Sequence, residues 1–155
     1  MKGSVIMLAF VIIIVFLIGL STFIGYLFLS SFQGTQLDGT ILNQGINAIK
    51  LFDYLTIGAL VASAIGTVLS ALFIRTHPSL FIFSMLITIF LAIFASQISN
   101  VFLQFADSTI FSSISSYFKN TVSTFQNLPS YILIIGILGA IGLYAFRNRG
   151  GEMGI

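Results

Sequence analysis

The sequence predicts an all-α polytopic membrane protein, a single membrane domain over residues 1–155 with four transmembrane helices and two amphipathic interfacial helices. Three observations lead to this prediction. Only 6% of the residues are charged, against about 25% in an average soluble domain. Several apolar runs reach the roughly 20 residues that a spanning helix needs. The third observation is the segment Ile57–Phe73, in which every fourth residue is small.

Composition also limits the function. A water-soluble core of this length has too little interior for a chain that is 57% hydrophobic. The absence of cysteine excludes disulfides, thiolate metal sites and cysteine nucleophiles. A formal net charge of +2 is too small to indicate nucleic-acid binding, so no specific nucleic-acid binding is expected.

The first predicted span covers about residues 5–29 and follows Lys2. A signal peptide is the alternative interpretation, but its apolar region is about 7–15 residues long. The run here is longer, so we expect an uncleaved anchor.

The next segment, about residues 37–52, is polar with apolar residues at helical spacing. This pattern predicts a short amphipathic helix at the membrane surface or on neighbouring helices. Asp53 follows it directly. A carboxylate there is expected to stabilise the start of the second span, where the helix dipole favours an anion.

The second predicted span, about residues 54–74, carries the small residues in two rows. The first row is Gly58, Ala62, Gly66 and Ser70. The second row, one residue further on, is Ala59, Ser63, Thr67 and Ala71. Lipid tails are as apolar as leucine, so helices in a bilayer attract each other largely through close backbone approach at small residues. The rows therefore predict a face packed against other helices.

The third predicted span covers about residues 80–100, after the short turn Arg75–Pro78. So short a connection predicts an antiparallel hairpin of the second and third spans. His77 in this turn is expected to be a solvated loop residue. Polar residues collect towards the end of the third span, which leaves two interpretations: a helix emerging into the interface, or a wall of a water-filled path. These residues are Ser96, Gln97, Ser99, Asn100 and Gln104.

The segment of about residues 108–126 has apolar residues at a period near 3.6, separated mainly by serine. It predicts a second amphipathic helix. A serine face attracts anionic lipids weakly, which favours packing against protein or a neutral interface.

The fourth predicted span, about residues 128–146, has Pro129 in its first turn, where proline is tolerated. Gly136 and Ala140 repeat the four-residue spacing of small residues, and Gly139 and Gly142 add a second groove. This span is the expected packing partner of the second span.

Four spans place the two termini on one side of the membrane. That side carries Lys2, Arg75, Arg147 and Arg149 against Glu152, a net charge of +3. The other side carries Lys50 and Lys119 against Asp38, Asp53 and Asp107, a net charge of −1. The positive-inside rule therefore predicts that both termini are cytoplasmic or interior.

Chemistry-bearing motifs are absent from the sequence. The middle of each predicted span lacks ionisable residues, which argues against proton relays and ion-coupled transport. Neither GxxxxGK[ST] nor HExxH occurs. We therefore expect neither an enzyme nor a cofactor. The serines and threonines are expected to bond to carbonyls of their own helix or across helices.

The last third of the chain supplies a family resemblance. Phe125-Gln126-Asn127-Leu128-Pro129 precedes an Ile/Leu/Gly span, Tyr144 and a basic, glycine-rich end at Arg147–Gly151. This pattern resembles small integral membrane proteins of tailless icosahedral viruses with an internal membrane, the corticovirus-like and tectivirus-like groups and their archaeal relatives. The resemblance implies a structural protein of the virion membrane beneath a double-jelly-roll capsid shell. It identifies no functional residue.

Three functions are compatible with these observations. The first is a structural membrane protein that assembles with itself or with other membrane or capsid proteins in the bilayer. The second is a holin-like protein that permeabilises a membrane. The third is a non-catalytic subunit of a larger membrane complex or channel.

Overall fold

The computed structural model describes residues 2–33, 39–73 and 79–149, which form six helices and no strand. The helices are α1 (Lys2–Ser31), α2 (Gly39–Phe73), α3 (Ser79–Ala106), α4 (Ser112–Ser115), α5 (Lys119–Gln126) and α6 (Leu128–Arg149). The all-α prediction is confirmed for these residues. The predicted turn with Arg75, His77 and Pro78 and the end of the basic tail, from Gly150, lie outside the described residues.

The four long helices form a closed bundle. In it α1 packs on α2 and α3, and α6 packs on α3 and α2. The two short helices, α4 and α5, join α3 to α6, and α5 lies against both α2 and α3. The predicted pairing of the second and fourth spans is therefore confirmed. The second and third spans were expected to form a hairpin. Among the described residues α2 and α3 do not pack on each other, and each makes its main contacts with α1 and α6.

The bundle turns apolar side chains outward and keeps hydroxyl groups inside. Phe10, Leu55 and Phe90 are 58%, 51% and 71% exposed. The buried polar side chains are mostly hydroxyls: Thr22, Thr56, Ser63, Thr67, Ser84, Thr88, Ser99, Thr121 and Thr124. Such an arrangement suits a lipid environment, in which apolar surface is solvated and polar groups need partners within the protein.

Most of these hydroxyls do find partners. Thr22, Ser63 and Thr88 donate to carbonyl oxygens one turn earlier in their own helices, at 2.7, 2.7 and 2.9 Å. The expected bonding of hydroxyls to their own helices is confirmed at these positions.

Three helices are long and apolar enough to cross a membrane: α1, α2 and α3. A fourth candidate is the pair α5 and α6, which qualifies as one span only if its 64° bend is included. The described residues thus contain three or four candidate membrane-spanning helices. Helix α3 continues to Ala106 through the polar residues that follow the predicted third span.

The predicted first amphipathic helix is not separate. Residues 39–52 and the second span form one helix of 35 residues, α2. The apolar side of this segment packs along the end of α1, where Leu42 and Ile46 are buried. The close approach occurs at glycines: a methyl group at Gly45 would lie 2.9 Å from Leu29, and one at Gly25 would lie 3.1 Å from Ile49. The segment therefore continues the α1–α2 contact, which agrees with the second of the two predicted settings, packing on a neighbouring helix.

The predicted second amphipathic helix is broken into α4 and α5. Phe118, between them, has a non-helical backbone (φ −115°, ψ 51°) and a fully buried side chain. Serine hydroxyls also bond to backbone carbonyls three residues earlier, as in Ser115 to Ser112 at 2.8 Å and Ser116 to Ser113 at 2.9 Å. The same bond three residues back occurs at Ser63 within the unbroken α2, so the interruption is located at the non-helical backbone of Phe118.

Candidate functional site

Helix α5 is inserted into the bundle, and a carboxylate from α2 holds its N-terminus. Oδ1 of Asp53 accepts a hydrogen bond from the backbone N–H of Thr121 at 2.7 Å, and Oδ2 accepts one from Asn120 at 3.3 Å. Asp53 is only 5% exposed. Free N–H groups and the helix dipole make the first turn of a helix favourable for an anion. Asp53 therefore acts as an N-terminal cap supplied by a different helix.

This role corrects the prediction for Asp53. The residue was expected to stabilise the start of the second span. Because α2 begins at Gly39, Asp53 lies four turns inside that helix, beyond the range of its dipole. The charge instead acts on α5, which the sequence placed in a separate surface helix.

A second polar contact lies one turn further along α2. The hydroxyls of Thr56 and Thr121 are 3.2 Å apart, and both side chains are fully buried. Residues three apart share one face of a helix, so Asp53 and Thr56 both face α5. The Thr56 hydroxyl is also 3.3 Å from the carbonyl of Phe52, to which it donates. The predicted bonding of hydroxyls across helices is confirmed at this pair.

The C-terminal end of α5 is bonded to the opposite side of the bundle. Pro129 has no N–H, so it cannot donate to the carbonyl of Phe125, four residues earlier. The buried hydroxyl of Ser99, in α3, donates to that carbonyl. Asp53 and Ser99 thus attach the two ends of α5 to α2 and α3, and the bend between α5 and α6 lies at the second attachment.

We expect the variant Ser99→Ala to lose about 0.5–1.5 kcal/mol of stability, the net value of one hydrogen bond. The loss should appear as a lower Tm in mild detergent, with faster hydrogen exchange near Phe125. The control is Ser96→Ala, a hydroxyl one turn earlier that is half-buried. An equal loss in both variants would contradict a specific role for Ser99.

Aromatic rings surround the inserted helix. The rings of Phe102 and Phe125 are stacked with centroids 3.7 Å apart and an interplanar angle of 15°. Gly19 allows α1 to approach them, because a methyl group there would lie 2.7 Å from Phe125 and 2.9 Å from Phe102. Gly19 is near the middle of the 30-residue α1. The end of α5 therefore reaches the interior of the bundle.

A second group of rings lies around Phe23, which is fully buried. Its centroid is 5.4 Å from that of Phe102 and 5.6 Å from that of Phe118. Towards the end of α1, Tyr26 stacks on Tyr117 at 5.5 Å. The expectation that the second amphipathic segment packs against protein is confirmed for these residues.

The two rows of small residues in α2 face different directions. In the second row Ala59 is half-buried, and Ser63 and Thr67 are 3% and 2% exposed. In the first row Gly58 and Ala62 are exposed, and Gly66 and Ser70 are half-buried. Adjacent residues are about 100° apart around a helix, so only one row can face the bundle centre. Helix packing by the first row stays a prediction about contacts with other chains.

The small residues of α6 face inward. A methyl group at Gly136 would collide with Thr88 of α3, and one at Gly139 would lie 2.8 Å from Cγ2 of Thr67 in α2. Ala140 is fully buried. Close approach at glycine therefore lets α6 pack between α2 and α3.

The polar residues at the end of α3 lie on two sides. Ser99 is buried against α5, whereas Gln97, Asn100 and Gln104 are exposed. The exposed three lie on the outer surface of the chain, so they do not line a path through the interior of one protomer.

The described residues contain no group of three or more His, Asp or Glu side chains that could hold a metal ion. No protein-family model, curated protein or solved structure matches the chain. The arrangement of the described residues is one of helix caps and close helix contacts.

Proposed function

We propose that this protein is a structural integral membrane protein, non-enzymatic, that assembles with itself or with partner subunits in the bilayer. The observation that carries the proposal is the outer face of α2, where Gly58 and Ala62 are exposed. A methyl group at Gly58 would meet no atom within 4 Å among the described residues. The described residues thus leave Gly58 and Ala62 uncovered on the outer face of α2.

The surroundings of this small-residue face support contact with another helix. Leu55, Ile65 and Leu69 flank it on the same helix and are 51%, 56% and 48% exposed. Small residues flanked by large apolar ones allow a second helix to approach closely in lipid, where packing contacts are a main source of association. A second copy of α2 offers a surface of the same shape.

The proposed topology has four spans, with the bent pair α5 and α6 counted as one. Both termini then lie on the cytoplasmic or interior side, as the distribution of Lys and Arg favours. The resemblance of the last third to small membrane proteins of internal-membrane viruses favours one setting, a virion membrane beneath a capsid. In that setting capsid proteins are candidate partners.

The test is to place a large side chain on the exposed small-residue face of α2, at Gly58. We expect Gly58→Leu to weaken self-association in vesicles at least about tenfold, equivalent to about 1.4 kcal/mol. Its Tm as a monomer should stay the same, since the new side chain has open space. Association is measured by energy transfer between labelled chains. The control is Ser21→Leu, a small-to-large change at an exposed position of α1.

Unchanged association of Gly58→Leu, or an equal loss in Ser21→Leu, would overturn assembly through this face. A wild-type chain that stays monomeric at all protein-to-lipid ratios would overturn self-assembly altogether.

A second candidate function, the holin-like or channel-forming oligomer, is favoured by the exposed amides of Gln97, Asn100 and Gln104. Amides in contact with lipid are costly, and neighbouring chains that bring them together could enclose water. Dye release from the same vesicles separates the two functions, because a structural assembly leaves the vesicles sealed and a pore former empties them.

A further inference from the structure

A groove with a volume of about 350 Å³ lies between α2, α5 and α6. We propose that it binds one acyl chain of a membrane lipid, with the ester region of that lipid beside α5. Its walls are apolar on α2 and α6 and polar on α5. The lining residues are Ile57, Leu60, Val61, Ala64, Asn120, Ser123, Thr124, Tyr131, Ile134 and Ile135.

The groove exists because the chain bends between α5 and α6. The chain turns by 64° between the two helices, and the lining on either side of this bend is Asn120, Ser123 and Thr124 of α5 and Tyr131, Ile134 and Ile135 of α6. The bonds from Asp53 and Ser99 hold α5 at both ends. The position of α5, and with it the wall of the groove, is therefore fixed by hydrogen bonds within the protein.

The groove opens onto the surface that faces lipid. Ile57, Val61 and Ile134 line it and are 40%, 53% and 55% exposed. The surrounding medium in a membrane consists of acyl chains, and a gap in the protein surface exposes apolar walls that a chain can cover. A volume of this size lies in the range of natural ligand sites, about 300–1,000 Å³.

The polarity of the groove changes with depth in the same sense as that of a lipid. On α2 the exposed residues are mostly polar up to Lys50, with Gly39, Ile41 and Ala48 as the exceptions, and apolar from Leu51 onward, so we place the membrane surface near Lys50. Asn120 lies at that level, since its backbone bonds to Asp53. Ala64 is 14 residues beyond Lys50, about 20 Å deeper along the helix.

The polar end suits the ester and glycerol region of a lipid. Asn120 and Ser123 offer an amide and a hydroxyl, which donate to ester carbonyl oxygens. The lining contains no charged side chain. This combination of neutral donors above an apolar channel favours a phospholipid or other diacyl lipid over an ion, a sugar or a charged metabolite.

The test uses vesicles with phosphatidylcholine that carries a diazirine in the middle of one acyl chain. In the wild-type protein we expect the label to concentrate on peptides that contain Ala64 and Ile134–Ile135. Ala64→Phe should fill the groove and reduce this labelling about tenfold, with no change in Tm. Ser21→Phe, at an exposed position of α1, is the matched control and should leave the labelling unchanged.

Three outcomes would overturn the proposal. Label spread evenly over the outward faces of α1, α3 and α6 would show that the groove has no preference for a chain. Equal labelling in Ala64→Phe would show that the lipid lies elsewhere. Labelling at Ile134–Ile135 that appears only when the protein is diluted in lipid would show that a second copy of the protein fills the groove. The wild-type distribution decides the matter even if Ala64→Phe fails to fold.

The proposal is independent of assembly through the first row of α2. Gly58 and Ala62 do not line the proposed lipid groove between α2, α5 and α6. Gly58→Leu should therefore change association and leave labelling intact, whereas Ala64→Phe should do the reverse.

Discussion

Replacing Gly136 by alanine is expected to destabilise the bundle by about 3 kcal/mol or more, the upper end of the cost of overpacking. The new methyl group would overlap the side chain of Thr88, whose Cβ would lie only 2.9 Å away. Cβ cannot move without its backbone. Rotation of the Thr88 side chain would break the bond from its hydroxyl to the carbonyl of Ser84, 2.9 Å long in the wild type. Denaturant unfolding in detergent measures the loss.

Two further variants test the cause of this loss. Adding Thr88→Ala to Gly136→Ala removes Oγ1 and Cγ2, two of the three colliding atoms, and should recover most of the stability. Gly58→Ala makes the same change at a glycine with open space around it and should leave stability the same or raise it slightly. A Gly136→Ala variant as stable as Gly58→Ala would contradict the packing of α6 on α3.

The contrast between these two glycines shows how far the sequence predicts the packing. Spacing alone identified small residues in both helices and paired the second span with the fourth. It could not say which row of α2 faces inward, because both rows have similar volumes. The choice depends on where α6 lies around α2, and α6 is positioned by Thr67 and Thr88 on two different helices.

Helix boundaries were predicted less well than helix identity. The polar residues after Thr40 suggested a separate interfacial helix. The sequence has no helix-breaking residue where this segment meets the second span, at Asp53 and Tyr54. The segment stays in α2 because α1 extends beside it and offers an apolar surface. In the second amphipathic segment the period of 3.6 was correct locally, but the helix is interrupted at Phe118, which is buried and has a non-helical backbone.

The attachment of α5 was beyond prediction for a different reason. Asp53 and Thr121 are 68 positions apart in the chain, and Ser99 and Phe125 are 26 apart. The one local signal was Pro129, which leaves a carbonyl four residues earlier without its usual donor. The sequence indicates that this carbonyl needs a partner, but only the fold shows that the partner is Ser99.

The second large effect is expected at Asp53. Asp53→Ala removes the acceptor of two backbone N–H groups inside the bundle, those of Asn120 and Thr121. Loss of a helix cap costs about 0.5–2 kcal/mol, and each buried donor left unsatisfied costs about 1–3 kcal/mol. Only the bond from Thr121 is fully buried, so one donor bears the full cost and we expect a total loss of about 2–4 kcal/mol. Asp53→Asn should lose less, because one amide oxygen still accepts.

Hydrogen exchange locates this effect within the chain. If Asp53 holds the N-terminus of α5, exchange in Asp53→Ala should accelerate first at residues 119–126, while the centres of α1 and α3 stay protected. Asp107→Asn is the matched control, since Asp107 is an exposed carboxylate in the turn after α3. Unchanged protection of α5 in Asp53→Ala, or an equal loss of stability in Asp107→Asn, would contradict the cap. Because the bend also forms the groove, release of α5 should lower lipid labelling at Ile134–Ile135 in the same variant, which links the cap to the proposed lipid site.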